Sequence, residues 1–266
     1  MHIQFDSNET WLHKINPSVK LLTLASLFFV VLFIHNINLI VLFTLAPCIL
    51  FLFFTGHPLR RVMLFSIPFL LIFVSTSSSM ILFGKGETTL LKWGLVHISQ
   101  ESLLRGIHLG FRAIIYAMLG LTFALTTRPV MLFYSLMQQL KLNPKYAYSF
   151  MAGIRLVPIM MEEFTTIRYA RTVRGVEQSY SLGGIFSSIK SFSIPLLSQS
   201  IRRAYRIAVA MEAKRFSQNK SRTFYYSIGF SRYDLFFIAY FVALLSLAYF
   251  ISGQYPLFPA VDVRSL

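Results

Sequence analysis

Five long apolar runs decide what this chain can fold into: Val19–Ile34, Leu39–Phe54, Val62–Phe83, Leu103–Thr127 and Tyr233–Ile251. The 266 residues are 55% hydrophobic and 16% aromatic. The sequence between the runs is too short and too polar to hide that much apolar surface from water, so the runs are read as membrane-spanning helices. The first two contain 16 residues each, short of the roughly 20 expected for a full crossing, and a buried soluble hairpin is the competing reading there. Lys20 can snorkel from the start of the first run. Pro47 and Pro68 are tolerated inside spans.

Charge orients the spans. The chain carries 25 Lys+Arg against 10 Asp+Glu, a net +15. Between Arg128 and Arg232 stand 16 Lys/Arg against only Glu162, Glu163, Glu177 and Glu212, which places +12 in that one segment. The positive-inside bias makes the segment cytoplasmic rather than a nucleic-acid site. With five spans, the N-terminus, Arg60 and Arg61 fall on the same inner side, while the loop Gly84–Ser102 and the tail Ser252–Leu266 fall outside. The first twenty residues lack a basic start followed by an apolar core, so no removable signal peptide is expected.

Three domains follow: a four-span membrane region 1–127, a cytoplasmic region 128–231, and a last span with tail 232–266. In the cytoplasmic region Pro129 opens a helix running to about Leu142, Asn143-Pro144 caps one that stops at Gly175, and Gly183-Gly184 breaks the chain before a helix Ile185–Phe216 with Pro195 as a kink. Ile194, Leu197, Ile201, Ala204, Ala208 and Met211 recur at steps of three and four, predicting one apolar face. The expected fold is all-α: a polytopic membrane protein of about five transmembrane helices plus a cytoplasmic coupling domain of long amphipathic helices.

Catalytic chemistry finds little support. No phosphate-binding G-x-x-x-x-G-K-[ST] loop occurs, since Gly84-Lys85-Gly86-Glu87-Thr88 has the wrong spacing and context. The histidines His2, His13, His35, His57, His97 and His108 never stand at ligand spacing. Glu162-Glu163 reads as a solvated helix face, and the lone Cys48 as a small buried hydrophobe. Neither a cofactor nor a metal is expected. The hydroxyl cluster Ser75–Ser79 reads as helix packing. Arg105, His108 and Arg112, at helical spacing in the fourth run, fit either a functional role or snorkelling at the interface.

The motifs carry a resemblance. Leu12-His13-Lys14-Ile15-Asn16-Pro17-Ser18-Val19-Lys20-Leu21, then Met151-Ala152-Gly153-Ile154-Arg155-Leu156-Val157-Pro158 with Ala170-Arg171-Thr172-Val173-Arg174-Gly175, then Arg203-Ala204 with Ala210-Met211-Glu212-Ala213-Lys214-Arg215-Phe216, resemble in order the N-terminal stretch and the two coupling helices of the transmembrane T component of energy-coupling factor (ECF) transporters. The resemblance covers most of the chain. It implies a non-catalytic scaffold of a bacterial or archaeal cell-membrane importer, taking up a vitamin or transition metal. Its partners would be two ABC-type ATPases, a substrate-binding membrane S component and the lipid bilayer.

By the same resemblance the ATPase-coupling residues are Arg171, Arg174, Gly175, Glu212, Ala213, Lys214 and Arg215. The supporting motif residues are His13, Pro17, Lys20, Gly153, Arg155, Pro158 and Arg203. Two departures stand out: Val173 replaces the family's Ala, and Lys214-Arg215 replaces its Arg-Gly. Lys lacks the planar fork of Arg, so either Lys214 or Arg215 could serve as the second anchor. The missing glycine predicts that the second helix runs a little further than the first. A stand-alone permease is the alternative, but it would want paired charges at mid-membrane and internal repeats, and the sequence shows neither.

Overall fold

The computed structural model describes residues 9–84, 86, 88–93, 96–176, 181–216, 223–256 and 258. They form eight α-helices and one short hairpin: α1 (Pro17–Phe33), α2 (Ile37–Phe54), α3 (Leu59–Phe83), β1 (Thr89–Trp93), β2 (Val96–Ser99), α4 (Gln100–Thr126), α5 (Pro129–Gln139), α6 (Pro144–Val173), α7 (Leu182–Ala213) and α8 (Arg232–Gln254). A 3-10 turn, Trp11–Lys14, precedes α1. The chain divides into two compact units, residues 1–135 with 228–266, and residues 136–227.

The helix starts follow local chemistry. Asn16 and Asn143 accept from the backbone N–H two residues on, each with a proline at the first helical position, so a missing donor coincides with an orphan site. Asn36 caps α2 in the same way. Reciprocal capping boxes open α4 (Ser99 with Ser102) and α8 (Ser231 with Asp234).

In the first unit α2, α3, α4 and α8 are long and apolar enough to cross a membrane, and α1 is a shorter apolar helix of 17 residues. Together they make a multi-pass, all-α membrane domain. Helix α4 packs against α1, α2 and α3, while α8 packs against α1 and α2. Its core joins Leu24, Leu27 and Val31 of α1 to Phe43 and Leu50 of α2, Ile115 and Leu119 of α4, and Phe237 and Phe241 of α8. Cys48 is only half-buried, beside the smaller cluster of Phe51, Val62 and Met118.

Helix α3 reaches α4 by close approach. A Cβ on Gly106 would stand 2.4 Å from Ile81 and 2.9 Å from the Ser77 carbonyl oxygen, and one on Gly110 would stand 2.6 Å from Phe73. This is the small-residue seam by which membrane helices gain van der Waals contact when water supplies no driving force. The hydroxyl cluster behaves as packing. Thr76 and Ser78 return their protons to their own helix at Ile72 and Ser75, and Ser77 lies against the glycine seam.

Several expectations are corrected. Residues 84–102 hold an antiparallel hairpin that pairs Lys92 with His97 and Trp93 with Val96, because Thr, Leu, Trp, Val and Ile there favour extended backbone. Helix α5 stops at Gln139, where Lys141 turns left-handed (φ 53) and the Leu142 N–H returns to the Leu136 carbonyl. Gly183 and Gly184 sit inside the first turn of α7, which starts at Leu182. Lys20 does not snorkel: it is 1% exposed, folded into unit one. His108 and Arg112 also turn inward, both reaching the Ile34 carbonyl (3.2 and 2.7 Å). They satisfy acceptors that the end of α1 leaves unpaired.

Candidate functional site: two helix ends and a buried N-terminal network

In the second unit α6 and α7 pack side by side. Tyr148 meets Phe216, Met160 meets Ser200, Glu163 pairs with Arg203, Phe164 meets Phe192, and Arg171 donates to Ser191 (2.5 Å). Tyr148, early in α6, meets Phe216 just past the end of α7, and Arg171, late in α6, meets Ser191 early in α7, so the helices run antiparallel. Their C-termini therefore lie at opposite ends of the pair, separated by about 35 Å for the 23 residues between Tyr148 and Arg171.

The predicted single apolar face of α7 divides. Phe192, Leu196, Arg203, Ile207 and Met211 are the half-buried stripe, whereas Ile194, Leu197 and Ile201 are exposed. Periodicity alone could not rank two stripes on the same helix. Glu163 and Glu162 also part company: Glu163 sits against Arg203 with its side chain only 19% exposed, and Glu162 alone is the solvated member.

The two C-termini have the same geometry. At the end of α6, Arg174 (φ −79, ψ 4) is followed by left-handed Gly175 (φ 67), and the N–H groups of Gly175 and Val176 return to Thr172 and Arg171 (3.0 and 3.2 Å). At the end of α7, Lys214 (φ −81, ψ 10) is followed by left-handed Arg215 (φ 51), and Arg215 and Phe216 return to Glu212 and Met211 (2.8 and 2.9 Å). Both are Schellman closures. The run-on expected of α7 is therefore corrected: Arg215 adopts the left-handed conformation that glycine would take, and the helix stops on the same pattern.

Position follows from this match. Lys214 occupies the place of Arg174, and Arg215 the place of Gly175. All four residues are exposed, and the side chains of Arg174, Lys214 and Arg215 make no hydrogen bond or ion pair with a described residue. Each tip thus carries a solvated cation where the helix dipole is negative. Glu212 and Ala213 are exposed beside the second tip. Arg171 is turned inward, bonded to Ser191 with its guanidinium 4.6 Å from the Phe192 ring centroid, and holds α6 to α7. Gly153, Arg155 and Pro158 lie on exposed positions of α6 away from that contact.

The N-terminal motif builds a buried polar network in the first unit. The three N–H bonds of Lys20 reach the Leu12 carbonyl (2.6 Å) and the carbonyl and hydroxyl of Thr126 (3.2 and 3.1 Å). Asn16 donates its backbone N–H to Asp234 (2.7 Å) and its amide to the Gly229 carbonyl (3.1 Å), and accepts from Ser18 N–H and the Ser135 hydroxyl (3.0 and 2.7 Å). Because the Ser135 proton goes to Asn16, the Ser18 hydroxyl is the donor in the 2.5 Å contact between the serines. Thr126, Ser135 and Asp234 were not singled out from the sequence, and Asn16 entered only as part of the N-terminal motif.

His13 accepts the Thr10 N–H at Nδ1 (3.2 Å). Burial, then the nearby Lys20 cation, hold its pKa below the usual histidine value, so the neutral acceptor form is favoured. Among the described residues no group of three or more His, Cys, Asp or Glu could hold a metal ion.

Comparison with known proteins agrees with this architecture. The family model for CbiQ, the cobalt transport protein, matches residues 8–226. The chain is 28% identical to the energy-coupling factor transporter transmembrane protein EcfT of Lactococcus lactis subsp. cremoris over 84% of its own length and 86% of the relative's. It is 27% identical to EcfT of Limosilactobacillus fermentum (91% and 92% covered) and 27% identical to EcfT of Bacillus subtilis (90% and 93% covered). The family match runs through the N-terminal motif and both helix ends, and the chain belongs to the CbiQ cobalt transport protein family, the EcfT/CbiQ-like transmembrane T components of energy-coupling factor transporters.

Proposed function

We propose that this T component is the non-catalytic membrane scaffold that couples two cytosolic ABC-type ATPases to reorientation of a substrate-binding S component, importing a vitamin or a transition metal. The observation that carries this reading is the pair of matched helix ends. Two exposed cations, Arg174 and Lys214, each close a long helix with the same backbone geometry and stand at opposite ends of one antiparallel pair. Such spacing suits two separate subunits, one tip to each. A cation on a helix C-terminus meets the negative end of the dipole and can pair with a partner carboxylate. Gly175, Glu212, Ala213 and Arg215 form the rest of the two tips, and Arg171 fixes the base of the first. The N-terminus and residues 128–231 lie on the cytoplasmic side in this reading, as the positive-inside bias requires.

The test is co-purification of the full chain with its two ATPases. Arg174→Glu and Lys214→Glu should each lower ATPase recovery by tenfold or more and abolish ATP-dependent uptake, while Arg206→Glu, at an exposed position of α7 outside the motifs, leaves recovery unchanged. Undiminished recovery in both tip variants refutes the assignment.

A further inference from the structure

The chain passes from the first unit into the second within α5 and returns near residue 228. Each crossing is flanked by polar residues of the first unit that end on the same nine-residue stretch. On the outgoing side, Thr126 closes α4 and Ser135 lies in α5; on the returning side stand Gly229 and Asp234. Lys20 takes both Thr126 oxygens, and Asn16 holds Ser135, Gly229 and Asp234 at once. Asn16, Ser18, Lys20, Thr126, Ser135 and Asp234 are all 5% exposed or less.

We propose that Leu12–Lys20 is a clasp that locks the outgoing and returning crossings of the chain to each other, making Asn16, Lys20, Ser135 and Asp234 positioning residues for coupling. The proposal rests on the coupling reading above for its purpose, though not for its geometry. Load applied to residues 136–227 passes along the two covalent connections, and a crossing free to slide would dissipate it. Asn16 prevents independent sliding because its amide, carbonyl and backbone N–H engage both crossings together. Lys20 is suited to the same task. An ammonium has three N–H bonds, here all met by carbonyl and hydroxyl oxygens, so releasing one strands a buried cation. A satisfied buried network of this kind rigidifies what it joins. The 3-10 turn extends the grip, since Thr10 donates to the Phe54 carbonyl at the end of α2 (2.6 Å).

The experiment is amide hydrogen exchange on the full chain in lipid nanodiscs. Ser135→Ala removes one hydroxyl from the outgoing side. The clasp predicts exchange at least fivefold faster at Ser231 and Asp234 on the returning side, to which Ser135 is joined through Asn16; Asp234→Asn should do the same to α5. A purely local role would move exchange only around the substituted residue, and that result overturns the proposal. The wild-type chain supplies a reading that no folding failure can spoil: the Ser18 and Ser231 amides should open with the same dependence on denaturant, and tenfold faster opening at either one refutes the clasp. In parallel, the two ATPases are co-purified with wild type and Ser135→Ala. Loss of ATPases from the wild type sinks the functional reading alone, whereas retained ATPases with uncoupled exchange sink the clasp alone.

Discussion

Arg215 offers a direct measure of what the α7 closure costs. It holds φ 51 at a helix end where the matching position of α6 is Gly175. A non-glycine residue in the left-handed region is disfavoured by about 1–2 kcal/mol. Glycine returns roughly 0.5–1 kcal/mol of that through its greater freedom in the unfolded chain. Arg215→Gly should therefore stabilise the α7 terminus by about 0.5–1 kcal/mol net, with the same two closing hydrogen bonds kept. The change is local, so the assay is amide exchange at Arg215 and Phe216, whose N–H groups bond to Glu212 and Met211. Exchange at Phe216 should slow by about two- to fivefold. Recovery of the ATPases should stay at the wild-type level, because Lys214 and not Arg215 occupies the place of Arg174. Faster exchange at Phe216 would refute the strain argument. Lost ATPase binding would make Arg215 the anchor.

Three further outcomes are expected. Glu163→Ala removes one partner of the Glu163–Arg203 pair, whose side chains are 19% and 33% exposed; the partial exposure screens the pair, so the loss should be about 1–2 kcal/mol, checked by a double-mutant cycle with Arg203→Ala. Gly110→Val sets a branched side chain against Phe73 across the α3–α4 seam and should destabilise the membrane unit by about 1–3 kcal/mol in detergent unfolding, while Gly120→Ala, with open space around it, should cost nothing measurable. The pKa of His13 is lowered from 6.5 by burial and Lys20, so the unfolded chain takes up a proton at higher pH than the folded one. Stability should be flat above pH 6.5 and fall as pH drops through the lowered folded-state value, and His13→Asn, which keeps a side-chain acceptor, should flatten that fall.

The parts of this protein legible in the sequence are those set by composition and by short-range signals. Apolar runs need lipid whatever their neighbours are, so Leu39–Phe54 and Tyr233–Ile251 announce α2 and α8 directly. Asn143-Pro144 and Gly175 fix the ends of α6 because capping and left-handed closure act within a few residues. The charge excess of residues 128–232 is legible for a similar reason, since each cation counts without regard to its partner.

Tertiary structure decided what depends on residues far apart in the chain. Lys20 reads as a snorkelling lysine until Leu12 and Thr126 arrive to take its protons, and Thr126 is 106 residues away. Asn16 stands in the sequence as one member of the N-terminal motif, yet two of its bonds end on residues more than a hundred positions distant. Gly106 and Gly110 gain meaning only when α3 is laid against them, and the two stripes of α7 are ranked only by which one meets α6. The second helix end is the sharpest case: local propensity argues that Arg215 should not close a helix, and the backbone bonds of Arg215 and Phe216, with the Phe216 ring set against Tyr148, outweigh it. Sequence states what each segment prefers by itself, and a buried hydrogen bond or a close helix contact exists only once two distant segments share one place.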